Sequence, residues 1–359
     1  MPSLVTRTAS TSARRSRDPV RVLLVADFVI NLAFYLVVPF LAVHLHTALG
    51  LTGGQVGLVL GLRTFAQQGL FFLGGALADR CAPRLQVAAG CAVRVSGYLL
   101  LGFAADLPTA VAGAVLTGLG GALFTPTLEA LAGALHADPG PTGRTRRLRL
   151  FARLTVAAEL GAVLGPVLGA LTIGFGFRTV SVLGAAIFAV VAIGLAAALP
   201  GFPTAVRATP AAPTPPVPPW TVVRDRSFLV FVLAYSSYLL CYAQLYLALP
   251  VELDRVGGSS TQLGLLFGLA SLTTLAGQVP LTRLATRIGP AAALGGGFGL
   301  MALAFASVGL WAAFPPWPGW LGLLPAATLV VLLVAGQLLA VPTAKSLVPS
   351  FARGRPLGA

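Results

Sequence analysis

Ten stretches of mostly apolar, nearly uncharged residues follow one another along the chain, at 22–45, 55–77, 85–105, 108–132, 150–174, 178–200, 227–250, 261–281, 290–314 and 320–343. A helix needs about 20 apolar residues to cross the hydrocarbon core of a bilayer. The runs are unbroken, which excludes the alternating ~10-residue segments of a transmembrane barrel. Only 9% of the 359 residues are charged and 57% are hydrophobic, whereas an ordinary soluble domain carries about 25% charged residues. So few charges cannot cover the surface of a water-soluble fold of this length. A soluble enzyme, a nucleic-acid-binding protein and a disordered scaffold are set aside, and the expected fold class is an all-α polytopic membrane protein.

The formal charge of +14 reports topology and not a nucleic-acid partner. If the first span enters from the cytoplasm, 19 of the 24 basic residues fall on inside segments. Two lie outside (Arg178, Arg255) and three within spans (Arg63, Arg94, Lys345). This positive-inside bias places both termini in the cytoplasm. The Arg- and Ser-rich start resembles a transit peptide in composition, but it runs directly into an apolar stretch too long for a signal core. Arginine outnumbers lysine 23 to 1, a composition expected of a GC-rich bacterial gene and hence of a bacterial inner (plasma) membrane. Cys81, Cys91 and Cys241 offer neither a disulfide framework nor a metal-ligand spacing, so no metal or cofactor is expected. His44, His46 and His136, near span ends, read as solvated loop residues.

Residues 201–226 break the pattern with a proline-rich segment unable to continue a helix. Two short repeats flank it. Leu77-Ala78-Asp79-Arg80-Cys81-Ala82-Pro83 returns as Leu284-Ala285-Thr286-Arg287-Ile288-Gly289-Pro290, and Pro126-Thr127-Leu128-Glu129-Ala130-Leu131 as Pro342-Thr343-Ala344-Lys345-Ser346-Leu347. Both pairs fall on the same side of the membrane, as in a parallel repeat about an axis along its normal. The expected organisation is a cytoplasmic tail (1–21), a six-helix bundle (22–200), a cytoplasmic linker (201–226), a four-helix bundle (227–347) and a C-terminal tail (348–359).

Gly75-Ala76-Leu77-Ala78-Asp79-Arg80-Cys81-Ala82-Pro83-Arg84 resembles the Gly-x-Leu-Ala-Asp-Arg-x-Gly-Arg-Arg loop of the major facilitator superfamily, with Ala82 and Pro83 replacing the usual Gly and Arg. Gly161-x-x-x-Gly165-Pro166-x-x-Gly169 is similar to the signature of its drug/proton antiporter branch. Gly61-Leu62-Arg63 through Gln67-Gln68-Gly69, and Gly118-Leu119-Gly120-Gly121 through Phe124-x-Pro126, resemble a bacterial multidrug-resistance efflux subgroup. The resemblance implies two helical bundles, a monomer, and a small-molecule substrate carried against protons. It also implies twelve spans, so the second bundle is expected to lack the last two, as in a truncated product. The basic residue often found in span four of that superfamily is here Ala114, which removes proton coupling through that position.

Charges inside a bilayer are costly and mark functional candidates. Asp27, with Asn31 and Tyr35 at i+4 and i+8 on the same face, and Glu129 are expected to carry protons, because the first and fourth spans line the family's cavity. Arg63 and Arg94 are expected to tune them, since burial favours the protonated acid and a nearby arginine opposes this. A static Asp27–Arg94 ion pair is the structural alternative, and Glu159 is balanced between the two roles. Gln67, Asn31, Tyr35, Tyr238 and Tyr242 are expected to contact substrate, the last two from the stripe Tyr235, Tyr238, Tyr242, Tyr246. Gly75, Asp79, Arg80 and Arg84 form the expected inside gate. Gly161, Gly165 and Gly169 present a side-chain-free ridge and Pro166 permits a bend, together a packing hinge.

With no phosphate-binding loop, catalytic triad or metal cluster in the sequence, energy must come from an ion gradient. The expected function is proton-coupled efflux of drug-like molecules by alternating access. A nutrient or metabolite transporter on the same fold and a non-transporting remnant are the alternatives; an enzyme is not expected.

Overall fold

A computed structural model of the chain describes residues 18–78, 81–135, 141–198, 226–315, 317 and 319–351. The N-terminal tail to residue 17, the linker at 199–225, His136 and the tail from 352 lie outside the described residues. The first bundle comprises α1 (Pro19–Thr47), α2a (Gly53–Thr64), a π-helical turn (Phe65–Gly69), α2b (Phe71–Ala78), α3 (Pro83–Gly102), α4 (Leu107–Ala134), α5 (Pro141–Thr172) and α6 (Phe177–Ala198). The second comprises α7 (Arg226–Arg255), α8 (Ser260–Ile288), α9 (Pro290–Ala312) and α10 (Leu324–Phe351). Among the described residues nine helices are long and apolar enough to cross a membrane. The other apolar run, expected as one span over 55–77, is divided by the π turn.

Several helices outlast their apolar runs. α5 begins at Pro141 and not near 150, and α8 continues to Ile288. Hydropathy marks where the bilayer ends, whereas arginine is a good helix former and lets the helix run on into water. α1 begins at Pro19 behind Asp18, whose carboxylate accepts from the Val20 amide. That pairing is a side-chain cap with proline in the first turn. His44, expected in a loop, lies inside α1 and stacks on Phe177 at 4.2 Å.

The two halves repeat one another more deeply than the short motifs suggest. α2a starts on the capping box Thr52/Gln55 and α8 on Ser259/Gln262. Each box is preceded by a glycine with positive φ, Gly50 and Gly257, respectively 65° and 69°. Every one of these pairs is 207 residues apart. The same offset relates α3 to α9, and an offset of 216 relates α4 to α10. A Cβ on Gly90 would lie 3.0 Å from the Gly120 carbonyl, and one on Gly297 2.7 Å from that of Gly336. Tyr35 and Tyr242, also 207 apart, touch each other through their hydroxyls at 3.5 Å. Residues exchanged by a pseudo-two-fold can meet only at its axis, so this pair marks where the axis runs.

In the first bundle α1 packs on α5 and α6, and α4 on α2 and α3; in the second, α10 packs on α7, α8 and α9. The bundles meet chiefly through α5 against α8, with α1 against α7 beside them.

Candidate functional site

The glycine ridge of α5 faces α1. A Cβ on Gly165 would sit 2.7 Å from the Leu32 carbonyl and 2.8 Å from the Tyr35 Cβ. Gly161 abuts Phe28 and Asn31, and Gly169 abuts Leu36 and Phe40. The ridge therefore packs within the first half and braces the face of α1 that carries Asn31 and Tyr35. Contact across the halves comes one step further along, where the Pro166 carbonyl and Ala170 lie against Gly264 of α8.

Beside that braced face opens a cavity of about 520 Å³, within the usual size range of small-molecule sites. It extends to the end of the bundle where α1 begins and α4 ends, at Leu23, Ala132 and Phe151. Asp27, Asn31, Tyr35, Arg63, Gln67, Arg94, Glu129 and Tyr242 all line it. Asn31 donates to the Asp27 backbone carbonyl at 2.8 Å and to its carboxylate at 3.3 Å. Glu129, exposed on α4, is near enough for its charge to act on Asp27.

Deeper in, Arg63 and Arg94 are 6% and 2% exposed. Both guanidinium groups stand over Phe34, at 5.4 and 5.2 Å from its ring centre. Arg94 is also 5.0–5.8 Å from the rings of Tyr98, Phe124 and Phe188. Arg63 donates to the Gln67 side-chain oxygen at 3.2 Å. The residues from Arg63 to Gln67 run into the π turn, a feature often found at functional sites. Among the described residues the ion pairs are Arg21–Asp18 and Arg255–Glu252, so the Asp27–Arg94 pair is not formed. The Gly118–Gly121 segment of α4 makes this depth possible. A Cβ on Gly118 would meet Ala66 at 2.9 Å, one on Gly120 would meet Arg94 Cβ at 2.7 Å, and one on Gly121 would meet Arg94 Nη1 at 2.9 Å.

Tyr238 stands off this cavity. Leu239, Tyr242, Ala243 and Tyr246 form the α7 face that lines it, and at about 100° per residue Tyr238 falls roughly a quarter-turn away. It stacks instead on Tyr235 at 4.8 Å. Glu159 lies in a separate chamber of about 90 Å³, with Ser271, Thr274 and Gln337. Tyr35 and Tyr242 line both spaces.

Of the expected gate, Asp79 and Arg80 lie outside the described residues, and Arg84 is exposed. Gly75 has open space at its Cα, whereas neighbouring Gly74 is pressed against the Ala122 carbonyl. Gln86, which motif reading passes over, is 2% exposed and donates to the Gly74 and Leu123 carbonyls at 2.6 and 2.9 Å. It ties α3 to α2b and α4. A lone amide in an apolar run is the only sequence signal for it.

The profile of the Major Facilitator Superfamily matches residues 23–359. The chain is 36% identical over 298 residues to an uncharacterised MFS-type transporter of Mycobacterium tuberculosis, covering 81% of this chain and 68% of that one. It is 33% identical over 261 residues to the multidrug resistance protein MdtH of Aeromonas hydrophila, covering 73% of this chain and 63% of the relative. To MdtH of Escherichia coli it is 29% identical over 337 residues, 94% and 79% of the two chains. Among solved structures, a mutant of the nucleoside transporter NupG superposes with a TM-score of 0.78 at 11% identity, over 94% of this chain and 85% of that one. The peptide transporter POT in complex with sulfate gives 0.74 at 17%, over 94% and 84%. Those identities speak to the fold, and the sequence relatives to the family: this chain is a multi-pass membrane transporter, not an enzyme, and belongs to the Major Facilitator Superfamily.

Proposed function

We propose that this chain exports drug-like small molecules in exchange for protons, by alternating access, across a bacterial inner membrane with both termini cytoplasmic. The observation that carries the reading is that Asp27 and Glu129 share one cavity with Phe34, Tyr35, Phe124 and Tyr242. Proton and aromatic substrate then compete for the same space, and a carboxylate that binds one at a time couples their movements. The MdtH relatives support multidrug efflux. Asn31, Tyr35, Gln67 and Tyr242 hold the substrate in this scheme, Pro166 and its glycines form the hinge, and the segment from Gly75 to Arg84 forms the gate.

The test is ethidium transport by the full chain in liposomes under an imposed pH gradient. Gradient-driven movement should vanish with a protonophore and fall to a small residue in Asp27→Asn, which keeps the size and removes the charge. Normal transport by that variant would reduce Asp27 to a packing residue. Movement of a nutrient-class solute, with no dye moved under any gradient, would replace efflux by the metabolite-transporter reading.

A further inference from the structure

We propose that Arg63 and Arg94 form an anion subsite in the cavity, built to take the carboxylate of an aromatic organic anion. The inference rests on the transporter reading and adds aromatic anions to its substrate class.

Phe34, beneath both guanidinium groups, is about halfway along the 29-residue helix α1, which places the pair near mid-membrane. Two like charges there are expensive to keep. Neither is within 4.0 Å of a carboxylate among the described residues. Aromatic faces return part of the cost, yet Arg63 Nε, Arg94 Nε and Arg94 Nη2 have no acceptor. Both side chains are more than nine-tenths buried, and both line the cavity.

The fold does not require these charges, and the second half shows why. By the 207-residue register, Arg63 corresponds to Ala270 and Arg94 to Met301. Met301 is 2% exposed, like Arg94, and abuts Gly336 as Arg94 abuts Gly120. The same helix crossing is thus packed once with an apolar side chain and once with a guanidinium. What the arginines add is positive charge on two cavity-lining residues whose planar N–H fork matches an oxyanion. Phe34 and Phe124 beside them suit an aromatic body.

The probes are dansylglycine, a fluorescent aromatic carboxylate, and its methyl ester, titrated against the purified full chain in lipid nanodiscs. The acid should bind about tenfold or more tightly than the ester. Arg94→Met and Arg63→Ala should each erase most of that preference, and Arg94→Lys should keep part of it. Melting curves identify variants that fail to fold. Equal binding of acid and ester to the unmutated chain overturns the proposal without recourse to any variant, as does a preference that survives both neutral substitutions. Because binding is read without a gradient, an acid preference in a chain that moves neither ethidium nor dansylglycine would sink the exporter reading and support the subsite.

Discussion

Arg94→Met places in α3 the residue that α9 carries at the equivalent position, and the interactions around Arg94 predict a more stable protein. In the unliganded chain Arg94 Nε and Nη2 are buried without an acceptor, at about 1–3 kcal/mol each. Four aromatic rings, Phe34, Tyr98, Phe124 and Phe188, stand within 5.0–5.8 Å of the guanidinium and return about 0.5–1 kcal/mol apiece. Methionine keeps sulfur contacts with the same rings, worth about 0.3–1.5 kcal/mol each, and relieves repulsion with Arg63. The ring contacts of the two side chains roughly offset one another, so the relieved donors set the sign, and the variant is favoured by about 1–4 kcal/mol, the range seen when buried charges yield to apolar residues. The assay is thermal unfolding by intrinsic fluorescence, in one fixed lipid nanodisc and without ligand; the midpoint should rise by a few degrees. Dansylglycine at one fixed concentration should then raise the midpoint of the unmutated chain by more than the variant's, since stabilisation follows affinity. A midpoint lowered by several degrees in Arg94→Met would refute the reasoning, because Arg94 would then be holding the four rings together.

Gly165→Ala forces a methyl group to within 2.8 Å of the Tyr35 Cβ; it should cost about 1–3 kcal/mol and impair dye transport, whereas Gly75→Ala, with open space around it, should leave the melting curve unchanged. Thr52→Ala and Ser259→Ala remove equivalent helix caps, and each should lower stability by about 1 kcal/mol in chemical denaturation; a large difference between them would argue that the halves do not share this device. Tyr35→Phe breaks a long 3.5 Å contact and should cost less than about 1 kcal/mol; a much larger loss would make the tyrosine pair a structural latch.

The spans were legible because a bilayer imposes a long, uniform apolar run on each of them. The cavity was legible where charge contradicts that run: Asp27, Arg63, Arg94 and Glu129 stand out in apolar sequence, and Asn31 and Tyr35 follow Asp27 by helical spacing. Finer placement depends on rotation and on close contact, which hydropathy does not encode. The π turn at Phe65–Gly69 shifts phase without changing composition. Tyr238 and Tyr246 belong to one stripe, yet only Tyr246 reaches the cavity, because the stripe drifts around α7. Gly74 and Gly75 are indistinguishable as letters, and only the neighbouring α4 backbone shows which one must lack a side chain.

The halves share their packing and differ in their charges: Asp27, Arg63 and Arg94 face Ala234, Ala270 and Met301 in the common register. Glycines and caps are fixed by helix contacts and so repeat, whereas a cavity wall tolerates any side chain of suitable volume and is free to diverge. This predicts the consequence of adding a charge to the second half. Ala270 and Glu159 line the same 90 Å³ chamber between α5 and α8, the helices through which the bundles chiefly meet. In Ala270→Arg the new guanidinium would find Glu159 from across that interface, in surroundings too confined to hydrate both charges. Such a pair, once formed, is costly to break, and it would hold α5 against α8 in this conformation. The variant should therefore insert and fold normally, bind dansylglycine, and fail to move ethidium. Adding Glu159→Gln, which removes the partner, should restore part of the transport. Unimpaired transport by Ala270→Arg alone would show that the α5–α8 contact does not have to open during the cycle.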